Sequence, residues 1–170
     1  GGYFTARVMI DKAPKTWEAI RPNLPVTIKA YNARWTGRET HTKLDLPNKP
    51  PRENQILNAG LGDVIYAAEW SDRDVTGFEA IGWFYGTETV RDWRGESRVN
   101  LFARVDQVEW PFLEEVGLLV VRYKRPVHVD LDTKEGADAV VEVLLQVSLG
   151  ERPLDALERA VQAHSYAAAS

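Results

Sequence analysis

The chain contains no cysteine, which excludes disulfides, thiol nucleophiles and cysteine-ligated metals. Long hydrophobic runs are also missing. Runs such as Val116 to Val121 reach six residues with a glycine inside, far short of the roughly 18 apolar residues a membrane helix requires, so no membrane partner is expected. From Gly1 and Gly2 the chain passes directly into Tyr3-Phe4-Thr5-Ala6-Arg7-Val8, without the basic, apolar and cleavage-site series of a signal peptide. A cytoplasmic location is the expectation. Histidines are few: His41, His128 and His164 show no HxH or HxxxH spacing, and no metal site is expected. Gly60-Leu61-Gly62 lacks the lysine and helix of a phosphate loop, and no cofactor is expected. Ser71, Asp72 and His41 could formally form a hydrolytic triad, but Ser71 has no nucleophile-elbow context. Asp72 and Asp74, with Arg73 between them and no third carboxylate nearby, read as a solvated turn.

What is present describes a globular protein. At 170 residues, 44% hydrophobic and 27% charged, the chain can bury a core without staples. Charge is uneven. Residues 1–52 hold ten Lys and Arg against four Asp and Glu, leaving eleven against twenty-one in the remainder, so the two parts carry +6 and −10. A basic face meeting an acidic one explains this better than a nucleic-acid surface, which would make the whole domain basic. Nucleic acid is not an expected partner.

Tyr3 to Ile10 alternates Phe4, Ala6, Val8 and Ile10 against Thr5, Arg7 and Met9, the period of a half-buried strand. Pro14 then suits a first helical position, with Trp17, Ile20 and Leu24 near helical spacing until Pro22 and Pro25 end the element. Val26 to Tyr31, Ala33 to Trp35 and Thr40 to Leu46 read as a meander stopped by Pro47, Pro50 and Pro51. Asp63 to Ala68, Glu79 to Tyr85 and Val99 to Val105 add strands, with a turn-rich excursion over 87–98. Six to eight short strands are enough to close a barrel. Pro111 to Tyr123 shows helical spacing, and Val127, Val129 and Leu131 alternate briefly. Asp132 with Glu135 resembles a capping pair ahead of a helix over Ala137 to Leu149, and Pro153 restarts a second. The predicted ending is a helical hairpin. Its two amphipathic faces, 133–149 and 153–168, exceed what a small barrel needs and predict a homo-oligomer.

The segment IDKAPKTWEAIR, Ile10 to Arg21, with its order of strand, Ala13-Pro14-Lys15-Thr16 and helix, resembles the opening of cyclophilins, the peptidyl-prolyl isomerases built on a helix-capped eight-stranded barrel. Gly62-Asp63-Val64-Ile65-Tyr66 and Gly77 to Gly86 extend the likeness, closer to an uncharacterised bacterial family with a cyclophilin-like fold than to the isomerases. The resemblance implies a mainly β protein: a closed cyclophilin-like β-barrel with capping helices over 1–131, followed by a C-terminal helical extension over 132–170. Isomerase chemistry would need an arginine donor to the substrate amide, for which Arg34 is the positional candidate. The cyclophilin Phe-His-Arg and Gln-Gly-Gly-Asp-Phe runs are absent around Asn32-Ala33-Arg34-Trp35, and the family's pocket-lining Gln and Phe map to Glu79 and Ile81.

Trp35, Trp70, Trp83 and Trp93 are interleaved with arginines and glutamates. Rings supply contact area and charges fix orientation in a ligand cleft, while Trp83, on a strand, reads as core. The expected function is therefore binding of a small polar molecule or a peptide at the barrel face by Arg34, Trp35, Glu69, Trp70 and Glu79, with no enzymatic activity. The alternatives are isomerisation at Arg34 and an oligomeric scaffold.

Overall fold

The computed structural model describes residues 2–70, 76–123, 127–133 and 140–146. Ser71, Asp72, Asp74 and the segment from 147 onward, including the second expected C-terminal helix, lie outside the described residues. Strand β1, Gly2–Val8, buries Phe4 and Ala6 and exposes Arg7, as its alternation predicts. Ile10 falls past the strand end and is exposed, because the amides of Lys12 and Ala13 both turn back to the Met9 carbonyl. Helix α1, Pro14–Ile20, begins on proline at its first position and buries Thr16, Trp17 and Ile20.

The chain continues through β2 (Val26–Asn32), β3 (Glu39–Lys43), β4 (Gln55–Ile56), β5 (Asn58–Ala59), β6 (Asp63–Ala68), β7 (Glu79–Phe84), β8 (Glu88–Thr89), β9 (Arg91–Asp92), β10 (Gly95–Glu96) and β11 (Val99–Val105). Helix α2 (Trp110–Tyr123) and strands β12 (Val127–Thr133) and β13 (Val140–Gln146) follow. Ala33 to Trp35, expected as a strand, forms a bent loop closed by the Ala33 amide donating to the Glu39 carbonyl, 2.7 Å. Among the described residues no helix is long and apolar enough to cross a membrane.

The main sheet runs β1-β13-β12-β2-β3-β7-β6-β11-β4, every pairing antiparallel, and is curled so that β1 also pairs with β11 through Ala6 opposite Val105. The expected helix over 137–149 is corrected here. Over Val140–Gln146 the chain is a strand seated between β12 and β1, and Asp132 lies inside β12, its Oδ1 accepting from the Thr133 amide at 2.7 Å. A short run of apolar residues, broken here only by Glu142, fits a strand as well as a helix, and the β-branched Val140, Val141 and Val143 side with the strand.

Parity decides which face each side chain joins. Val64 and Tyr66 of β6, Ile81 and Trp83 of β7, and Ala103 and Val105 of β11 enter the main core with α1 and α2. Ile65, Phe84, Val99 and Leu101 instead form a second cluster with Ala59 and Val90 on the opposite face. A bulge lets β11 serve both, since Leu101 and Ala103 oppose the consecutive Ile65 and Val64 and Phe102 is left extra. Asn100, fully buried, donates to Thr16 Oγ1 (3.0 Å) and the Pro51 carbonyl (2.8 Å), and accepts from the Glu53 amide (3.1 Å). That network ties α1 and the proline-rich loop to the sheet.

Candidate functional site

The second face is where a cavity forms. Strands β8, β9 and β10 fold back over it: β8 pairs with β5, and β9 and β10 make a tight hairpin with Trp93 and Arg94 at its tip. The excursion is pinned by the Val90 amide on the Leu57 carbonyl (2.8 Å) and the Ser97 amide on the Val90 carbonyl (3.0 Å). It is clamped to the 33–38 loop by Thr36, whose hydroxyl accepts from the Arg91 amide and donates to the Arg91 carbonyl, each 3.0 Å. Between this cover and the sheet lies a cavity of about 260 Å³.

Its floor comes from β3. Glu39 and His41 are two residues apart and so share the face that looks into the cavity. Glu39 is 6% exposed. Burial pushes its carboxyl up to about 8, with the Thr36 hydroxyl beside it pulling slightly the other way, so the acid is protonated at neutral pH. Room for it is made by Gly82, which sits opposite His41 in the register: a Cβ there would lie 2.3 Å from Glu39 Oε1. Burial lowers the His41 pKa below its ordinary value, so the ring is neutral. The Phe78 ring meets it edge-on at 6.2 Å, and its buried Nδ1 has no hydrogen-bond partner among the described residues.

The mouth is aromatic and cationic. Trp35, Phe78 and Trp93 are 52%, 39% and 56% exposed, a concentration of bare rings that marks binding surface more often than accident. Arg34 stacks over Trp35 and Arg94 over Trp93, each at 5.3 Å. Arg94 also reaches Glu69 Oε1 (3.3 Å) and Asp92 Oδ2 (2.8 Å). That ion-paired group is a wall shared with a second, more polar cavity of about 400 Å³, which adds Arg52, Trp70 and Arg98.

Of the five residues expected from sequence, Arg34, Trp35 and Glu69 line the first cavity, and Glu69 with Trp70 lines the second. Trp70 is held by its Nε1 donating to the Pro50 carbonyl, 2.8 Å, and by an edge contact with Tyr66. Glu79 lines neither. Its parity is that of Ile81 and Trp83, so it enters the main-core side, where its Oε2 accepts from the Leu46 amide (3.1 Å) and its charge adds to the burial that raises the Tyr66 phenol. Nothing in the sequence singles out Glu39, and it offers His41 only as a structural histidine or as a formal triad partner of Ser71 and Asp72, not as part of this cavity. The available signal was two ionisable residues at strand spacing opposite a glycine. Among the described residues no group of three His, Asp or Glu gathers as a metal site.

The fold and site define a class: a mainly β protein with a curled antiparallel sheet, two α-helices among the described residues and a small cavity with an ionisable floor. The family described as Protein of unknown function (DUF3830) matches residues 1–109, and the chain belongs to that family. Every residue lining either cavity falls inside the match. No curated protein matches the chain. Among solved structures, the one described as "Structure of McbB in complex with tryptophan" is similar in fold, with a TM-score of 0.60 and 16% identity, covering 88% of this chain and 45% of that one. The chain thus spans less than half the length of that structure.

Proposed function

We propose that the first cavity binds a small, planar, largely apolar molecule bearing an acidic group. The ring would lie between Phe78 and the β9–β10 hairpin and the anion near Arg34 and Arg91 at the mouth. The observation that carries this reading is the combination of an acid floor, protonated at Glu39, with three exposed aromatic residues at the rim. At about 260 Å³ the space is below the roughly 300–1,000 Å³ common for ligand pockets, which favours a compact ligand over a peptide. McbB, whose structure is described with tryptophan, agrees in kind, although the warrant lies in this chain's own rim and floor. Calorimetric titration with phenylacetate tests it. Saturable binding is expected, weakened about threefold to tenfold by Trp35→Ala or Trp93→Ala, in line with the worth of an aromatic contact; affinity unchanged in both variants would refute it.

The curled sheet reads further as a closed cyclophilin-like barrel, supported by the pairing of β1 with both β13 and β11. An isomerase reading would rest on Arg34, which lies exposed over Trp35, beside an acid where an apolar proline seat would be needed. A proline-isomerase assay with Arg34→Ala as control separates the two: activity present in the wild type and lost in the variant would reverse our preference. The scaffold alternative loses much of its support with the first C-terminal helix, since Val140–Gln146 is a strand within the sheet.

A further inference from the structure

Of the two floor residues, Glu39 is hydrogen-bonded on the protein side by the Thr36 hydroxyl, while His41 Nδ1 has no partner among the described residues. Placing a carboxyl and an imidazole on one apolar wall costs free energy unless both are used. Neither sits in an ion pair among the described residues, Gly82 is cut back to admit the carboxyl, and Nδ1 of His41 is left without a partner. Their strand spacing sets the two Cα atoms about 7 Å apart, enough to bracket a three-atom unit of a bound molecule. Resting on the ligand-binding reading above, we propose that the cavity is a catalytic site for proton transfer on a small aromatic 2-oxo acid, interconverting its keto and enol forms with Glu39 and His41 as the two proton carriers.

In the forward step neutral His41 takes a proton from the carbon next to the carbonyl. The C–H electron pair moves to form the C=C bond, the carbonyl π pair moves to oxygen, and that oxygen takes the proton of Glu39. The products are the enol, an imidazolium and a carboxylate, and the imidazolium proton returns to Glu39 through solvent at the mouth. No oxidant, reductant or co-substrate enters. The groups facing the pair are Arg34 from the 33–38 loop, Glu69 after β6, Tyr85 after β7, and Arg91, Asp92 and Arg94 from the excursion. Arg94 is ion-paired with Glu69 and Asp92, so Arg34 and Arg91 are left to meet the substrate carboxylate.

The test follows ketonisation of enol-phenylpyruvate by ultraviolet absorbance, with phenylacetate binding measured in parallel as a non-reacting control. The wild type should exceed the buffer rate, and Glu39→Gln and His41→Gln should each lower the enzymatic rate by about a hundredfold, the low end of general acid–base contributions, a loss well beyond any accompanying change in phenylacetate affinity. Enolisation and ketonisation both run on enzyme carrying one proton across the pair, on Glu39 in the first direction and on His41 in the second, so the rate should fall above about pH 8 as the pair loses that proton and fall again in acid as it gains another. If phenylacetate binds but ketonisation stays at the buffer rate, or survives both substitutions, the proton-transfer proposal is overturned and the binding reading stands. If phenylacetate does not bind the wild type, both are overturned.

Discussion

Glu39→Gln should make the protein more stable than the wild type in mildly alkaline solution, with the difference shrinking as the pH falls and gone below about pH 4.5. The carboxyl is held at about 8 in the folded protein, against 4.5 ordinarily. Below 4.5 it is protonated in both states and costs nothing. Between 4.5 and 8 the folded state holds a proton the unfolded state has lost, so stability declines as pH rises, by about 1.4 kcal/mol per unit, and levels off above 8. His41 acts in the opposite direction, but below its ordinary 6.5, because its lowered pKa penalises the folded state as pH falls. The interval from 6.5 to 8 therefore isolates Glu39. Urea unfolding across that interval should show the wild type losing about 2 kcal/mol relative to Glu39→Gln. Parallel pH curves for the two proteins would mean that the acid is solvated and the floor of the cavity is not what its burial indicates.

Gly117→Ala should destabilise, although the same change in an ordinary helix interior gains about 1 kcal/mol. Gly117 lies mid-way along α2 among the buried Leu113, Val116 and Val120. An added Cβ would sit 2.1 Å from Tyr85 Cγ, the ring atom nearest the backbone and least able to swing aside. Tyr85 is fixed at its far end too, with its hydroxyl 2.6 Å from Asn32 Oδ1 and 3.1 Å from the Gly37 carbonyl. Overpacking of this kind outweighs the propensity gain, for a net loss of about 2 kcal/mol and a fall in melting temperature of roughly 4–8 °C. Because Gly37 belongs to the loop bearing Arg34 and Trp35, phenylacetate affinity should drop as well. Combining Gly117→Ala with Tyr85→Ala should cost less than the sum of the two; strict additivity would show that the helix does not bear on the ring.

Most of the strand positions were legible because alternation is a local property. Val99–Val105 and Asp63–Ala68 stand where their periodicity places them, and Trp17 and Ile20 are buried as their spacing requires. Val140–Gln146 was not legible in the same way, since its apolar stretch carries no alternation and borrowed a helical reading from the preceding Asp132 and Glu135. The site divided along similar lines. Trp35 and Arg34 announce themselves by composition, whereas choosing Glu39 over Glu79 demands the register of β3 against β7. Both are glutamates on strands, and only parity against Gly82 and Trp83 sends one into a cavity and the other into the core.

The seat of β13 between β12 and β1 bears on how the protein is made. Gly2 meets Leu145 and Arg7 meets Val140, so β1 is synthesised before its partner strand and waits for it, on the order of ten seconds at ordinary rates of synthesis. During that wait β1 presents an open edge, a template for another chain. The same holds for any shortened version ending before residue 140, which would bare β1 and β12 together. Such a fragment should aggregate rather than report on oligomeric state, and long-range pairing of this kind predicts a slow folder.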